Sequence, residues 1–115
     1  MFKEEALVDR ECMWVVHINT AGDVIEKELC AMGSLDQAIC HPREVFRKAI
    51  INSAAKIVTI HNHPSGNYFP SVDDQSIWKR LTEAGEILGI EVMDHIIISS
   101  RGMYSQVRGS GKLLE

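Results

Sequence analysis

From Glu11 to Asn19 the chain reads ECMWVVHIN, a run rich in β-branched and aromatic side chains that stops at the turn cluster Thr20-Ala21-Gly22-Asp23. A second strand-like run extends from Val24 to about Ala31. Two such runs joined by a short turn predict a β-hairpin. After Gly33 the period changes. Pro42 suits the first turn of a helix, and Val45, Phe46, Ala49 and Ile50 recur at helical spacing, so a helix is expected from about Pro42 to Ser53 with its apolar stripe laid on a sheet.

Lys56 to Asn62, KIVTIHN, is a short apolar run bounded by HPSG, which predicts a buried strand whose C-terminal end opens into a loop. A second helix is expected from about Val72 to Leu88, with Ile77, Leu81, Ala84 and Leu88 on one face and Gly89 at its C-cap. IEVMDHIIIS, Ile90 to Ser99, reads as another core strand. Gly102 to Val107 adds a last short strand, and the tail GSGKLLE is expected to be loosely held. Strands and helices alternate without repeat or linker, so the expectation is one α/β domain over residues 1–115, with a mixed central β-sheet covered by two main helices.

A chain of 115 residues is long enough to bury one core without disulfide staples. Its formal net charge of -4 argues against tight nucleic-acid binding, whose affinity comes largely from Lys and Arg displacing counterions. Arg43, Arg47 and Lys48 lie on one predicted helix with acidic neighbours and read as a solvated face; Arg101, Arg108 and Lys112 lie near the C-terminus. Cys12, Cys30 and Cys40 cannot all pair within the chain and form no C-x-x-C, which points to a reducing, cytoplasmic setting. No basic-then-apolar leader and no membrane-length apolar run is visible in the sequence.

The candidate chemistry lies in HNHPSGNYFPSVDD. Side chains alternate along a strand, so His61 and His63 point the same way at the strand end and can share one ion. Zinc takes imidazole nitrogens at about 2.0–2.1 Å, and a hydrolytic site keeps three protein ligands with a water in the fourth position. Asp74, with Asp73 its neighbour, is the third candidate, because the Pro- and Gly-containing loop returns the chain to the strand end. Ser71-Val72-Asp73-Asp74 also matches a capping box, in which Asp74 only reaches back to the Ser71 amide. An isolated H-x-H is more often a pair of hydrogen-bonded imidazoles. The combination of H-x-H, Pro64-Ser65-Gly66, Pro70-Ser71 and an Asp eleven residues after the second His within one strand-loop-helix unit is what favours a metal. No Glu follows the pair as a cupin would need, the chain is too short for a barrel amidohydrolase, and H-E-x-x-H is absent.

This run resembles the JAMM (MPN+) metal-binding motif, and most specifically its RadC family version. CHPREVFRKAI, NSAAKIVTIHNHPSG, KRLTEAGEILGI and VMDHIII extend the resemblance from about Glu11 to Ser105. The resemblance implies a single MPN domain of cytidine-deaminase-like fold and a zinc-dependent metalloprotease-type hydrolase that cleaves an amide or isopeptide bond in a peptide or protein substrate. It implies Zn2+ on His61, His63 and Asp74, with Glu11 as general base, Glu4 or Glu5 as its fallback, and Ser71 as hydrogen-bond donor to the oxyanion. The family's name implies instead a DNA-repair-associated or protein-interaction module with a structural or vestigial zinc site. Function is argued from the site before the label, so the hydrolase is the first reading. Members typically carry a further N-terminal half of helix-hairpin-helix character, for which Met1 to Arg10 has no room, so the sequence reads as either a stand-alone version or an excised domain.

Of the remaining polar residues, Asn62 is expected to point away from the two histidines and brace the loop. Asp94 and His95 read as a satisfied pair within an apolar strand, with a role behind the metal ligands as the alternative. His41 suits the cap before Pro42 better than a nucleophile pair with Cys40. His17, Trp14, Trp78 and Phe46 read as packing residues. Exposed strand edges leave a homodimer open.

Overall fold

The computed structural model describes residues 10–33 and 40–111. Five of the predicted elements appear close to their expected bounds: β1 (Cys12–Ile18), β2 (Val24–Met32), α1 (Pro42–Ile51), β3 (Lys56–Asn62) and α2 (Val72–Leu88). They are followed by β4 (Glu91–Ile98), β5 (Met103–Ser105) and β6 (Gly109–Gly111). The last strand corrects one expectation. Gly109 to Gly111 is no loose tail; it pairs antiparallel with β5 across a tight turn, and Gly109 takes a φ of 83° open to glycine. Glu4 and Glu5, the fallbacks for Glu11, lie outside the described residues.

The strands form one six-stranded mixed sheet in the order β2-β1-β3-β4-β5-β6. Only β3 and β4 run parallel, and a parallel pair needs a crossover, which α2 supplies. Alternation along β1 and β3 divides the apolar residues between the faces. Met13, Val15 and Ile57 join Val45, Phe46 and Ala49 of α1 and Ile77 and Leu81 of α2 in one core, so both helices cover the same face. Cys12, Trp14, Val16, Ile18, Ile60 and Ile98 form a second cluster on the opposite face.

Local chemistry sets the helix ends. His41 caps α1, its Nδ1 accepting from the Arg43 amide at 3.0 Å, so it is a cap and not a partner for the buried Cys40 thiol. Gly85 lets α2 lie directly on the chain that follows: a Cβ there would stand 2.5 Å from the Ile90 carbonyl oxygen. Gly89, at φ 75°, then ends the helix. Cys12, Cys30 and Cys40 form no disulfide among the described residues, and burial, aided by Glu28, Cys40 and Glu44, pushes the Cys30 thiol up to about 12. No helix among the described residues is long and apolar enough to cross a membrane.

Candidate metal centre

The site forms where β3 ends and α2 begins, at the carboxyl ends of the parallel pair, where open α/β sheets place ligands. His61 is the penultimate residue of β3 and shares the helix-covered face with Ile57 and Thr59. His63 lies just past the strand, yet its amide donates to the Ile98 carbonyl at 2.9 Å, carrying the β3–β4 ladder one step further. Both imidazoles therefore stand on rigid backbone, with ring centroids 4.7 Å apart and planes at 90°.

Asp74 reaches both rings. Its Oδ1 lies 3.2 Å from His61 Nδ1 and its Oδ2 3.2 Å from His63 Nε2. The capping box is present as well: the Ser71 amide donates to Asp74 Oδ2 at 2.8 Å, and the Asp74 amide donates to Ser71 Oγ at 3.0 Å. The two readings of Asp74 are thus compatible, because one carboxylate closes the first turn of α2 and faces the histidines. Burial alone would raise the Asp74 pKa, but His61, His63 and the Ser71 amide outweigh it and hold the carboxyl well below the usual range. Burial likewise opposes protonation of His63, and the bonds to Asp74 and the Asn67 carbonyl overcome it, so its pKa is raised.

Glu11 stands immediately before β1, with its Oε1 3.5 Å from His61 Nε2. One nitrogen from each histidine and a Glu11 oxygen gather within 4.8 Å of one another, a grouping able to hold a metal ion. His61 Nε2 is buried and makes no hydrogen bond within the described residues. A buried imidazole nitrogen left so is costly, and a cation at this point would satisfy it. The donor set of two imidazoles and carboxylates suits zinc among other divalent ions.

Two supporting residues were not assigned these roles from sequence. The Asn67 carbonyl lies 2.7 Å from His63 Nδ1, which fixes that ring with Nε2 toward the site. Asn62 points away from the histidines and braces the start of β1: the Cys12 amide donates to its Oδ1 at 2.6 Å and its Nδ2 donates to the Arg10 carbonyl at 2.9 Å. Neither bond follows from local spacing, since each joins residues about fifty positions apart.

The other polar residues fall outside this grouping. His95 is buried between Thr59 and Thr82, with Nδ1 2.6 Å and Nε2 3.1 Å from their hydroxyls, and its ring stacks on Trp78. Asp94 accepts from the Ser105 hydroxyl and the Val107 amide, tying β4 to the β5–β6 turn. His17 is a buried packing residue whose Nδ1 lies 3.0 Å from Asn52 Nδ2. Arg43 and Lys48 pair with Glu44 and Glu26 on the solvated face of α1.

The domain is α/β, with a mixed sheet, a crossover helix and a histidine pair at the end of β3. Residues 1–111 match the RadC-like JAB domain, and the chain belongs to that family. It is 42% identical over 105 residues to a UPF0758 protein of Enterococcus faecalis, covering 91% of this chain and 45% of the relative. A UPF0758 protein of Bacillus cereus is 44% identical over 105 residues, 91% and 47% of the two chains, and one of Thermotoga maritima 41% over 111 residues, 96% and 50%. The chain spans about half the length of these relatives.

Proposed function

We propose that this domain is a zinc-dependent hydrolase of amide or isopeptide bonds, with His61, His63 and Asp74 holding the ion, Glu11 as general base and Ser71 as donor to the carbonyl oxygen under attack. The observation that carries the reading of a metal here is His61 Nε2, buried without a hydrogen bond in a grouping of Glu11, His61 and His63 ligand atoms no more than 4.8 Å apart. Asp74 enters the ligand set on its 3.2 Å approach to a nitrogen of each histidine. When bound, zinc supplies Lewis acidity, lowering the pKa of a water toward about 7 and polarising a carbonyl.

The chain's own residues do the rest. Asn67 and Asp74 hold the two imidazoles in place before an ion arrives, which reduces the ordering cost of binding it. Glu11, its side chain 37% exposed, has both a view of the site and access to solvent, so it can take a proton from the attacking water and return it to the leaving amine. Ser71 Oγ accepts from the Asp74 amide, which leaves its own proton to donate into the cleft that it lines with Glu11.

A second ligand set follows from the 4.8 Å grouping, in which Glu11 takes the place of Asp74. Zinc stoichiometry separates the two. Under the first set Asp74→Asn loses the ion and Glu11→Gln keeps it; under the second the losses are reversed. A peptide and isopeptide cleavage screen of native protein against Glu11→Gln then tests hydrolysis. Protein that neither binds zinc stoichiometrically nor gains thermal stability from it would end the proposal. Nucleic acid is the less favoured substrate because the chain is acidic, and nanomolar DNA binding at physiological salt would reverse that ranking.

A further inference from the structure

Beside the histidines opens a cleft of about 430 Å³ bordered by Glu11, His63, Pro64, Phe69, Pro70 and Ser71. Its chemistry is uneven. Glu11 and His63 are its only ionisable side chains, and no Lys or Arg of the described residues lines it. Pro64, Phe69 and Pro70 supply an apolar wall, and Phe69 leaves 55% of its surface exposed.

Exposing that much of a Phe in a loop is unfavourable, yet this ring is held in place and not left to collapse. The Phe69 amide donates to Asn67 Oδ1 at 3.1 Å, while the Asn67 carbonyl holds the His63 ring. One residue therefore ties the backbone of the aromatic lip to the orientation of the His63 imidazole. The Phe69 ring stacks on Tyr68 at 5.0 Å and leans on Tyr104 at 6.1 Å, and Tyr104 stacks on the buried Trp78 at 6.2 Å. At the other end of the loop Gly66 takes a φ of 88° with the Arg101 side chain packed against it, 3.3 Å from where a Cβ would stand. The platform is thus pre-organised, which lowers the ordering cost of binding a flat or branched apolar group.

We propose that this cleft selects an uncharged stretch of polypeptide carrying a bulky apolar side chain, Phe or Leu in type, seated on Phe69 while the adjoining peptide group reaches the histidines. The inference rests on the hydrolase reading for the use of the site, but its selectivity is a binding property and is readable without turnover. A phosphodiester would find no Lys or Arg among the described residues lining the cleft to offset its charge, and would face Glu11. An aromatic or branched side chain stacked on Phe69 gains contact beyond simple area burial.

The test uses capped hexapeptides that differ at one position, Phe, Leu, Ala or Asp, and a single-stranded oligonucleotide, with affinities measured on the native protein freed of zinc by EDTA, which keeps Glu11 in the cleft while preventing zinc-dependent turnover. The Phe and Leu peptides are expected to bind about tenfold more tightly than the Ala peptide, a difference of about 1.4 kcal/mol. Phe69→Ala should abolish that preference, and Phe69→Leu should keep most of it. Because the Phe69 ring is largely exposed, neither variant should lose the fold, which circular dichroism verifies. Equal binding of all peptides, a preference that survives Phe69→Ala, or tighter binding of the Asp peptide or oligonucleotide overturns the inference. Zinc content of native protein loaded in parallel separates the two ideas: no zinc sinks the hydrolase reading, whereas zinc without a Phe69-dependent preference sinks only this one.

Discussion

Asn62 holds the backbone on both sides of Glu11: its amide group binds the Arg10 carbonyl and the Cys12 N–H, the two peptide groups that flank the glutamate. Asn62 is fully buried and lies between His61 and His63, so one side chain on the far face of β3 fixes where Glu11 stands relative to the imidazoles on the near face. Asn62→Ala should therefore act through Glu11. Loss of the partner for the buried Cys12 amide is expected to cost about 1–3 kcal/mol of stability by urea unfolding. Under the hydrolase reading, zinc stoichiometry should hold while turnover falls, and the double variant with Glu11→Gln should be no slower than Glu11→Gln alone. Additive losses would show that Asn62 does not act through Glu11.

Under the hydrolase reading zinc should stabilise the fold, because the proposed ligands are gathered only in the native chain. At a free concentration about 1,000 times the dissociation constant, the gain is roughly 4 kcal/mol, and EDTA should reverse it. His63→Ala should melt at the same temperature with or without zinc.

Stability of the zinc-free chain should fall on mild acidification. Burial lowers the His95 pKa to about 4, against the weaker opposing pull of Asp94, whereas an unfolded histidine titrates near 6.5. Between those values the unfolded chain binds the extra proton, so stability is full above about pH 6.5 and is lost as pH drops toward 4, by on the order of 3 kcal/mol. Asp74, with its pKa depressed, loses its contribution only below the ordinary carboxylate range, and His63, with its pKa raised, loses its contribution as pH rises, so neither accounts for a loss in this window. Urea unfolding at pH 7 and pH 4.5 measures it, and a His95→Gln variant should show a flatter dependence.

Gly85→Ala should destabilise despite replacing a poor helix former with a good one. Ala gains about 1 kcal/mol in helix propensity, but its Cβ would meet the backbone carbonyl of Ile90 at 2.5 Å and the Val92 side chain at 3.1 Å. Overpacking of this kind costs about 1–3 kcal/mol, so a net loss, or a shift of α2 away from β4, is expected in thermal unfolding.

The apolar period of the sequence sufficed for most of the fold. The β-branched and aromatic richness of ECMWVVHIN, the short apolar run KIVTIHN and the helical spacing through Ile77 and Leu81 are local properties, and they place β1, β3 and α2 within a residue or two. His61 and His63 could be paired on one face for the same reason, since a strand repeats every two residues. GSGKLLE was misjudged in part because glycine-rich strands carry no apolar alternation to read, and only pairing with β5 makes Gly109 to Gly111 a strand.

What tertiary structure alone decided is which distant groups meet. A capping box and a carboxylate facing two imidazoles look like rival uses of Asp74 in sequence, and the return of the loop makes them one geometry. Glu11 could be placed at the start of β1, but its 3.5 Å approach to His61 depends on the antiparallel pairing of β1 with β3 and on the Asn62 clamp. Local sequence encodes the direction of a side chain through backbone period. It does not encode the distance between strands about fifty residues apart, which is set by sheet register and packing.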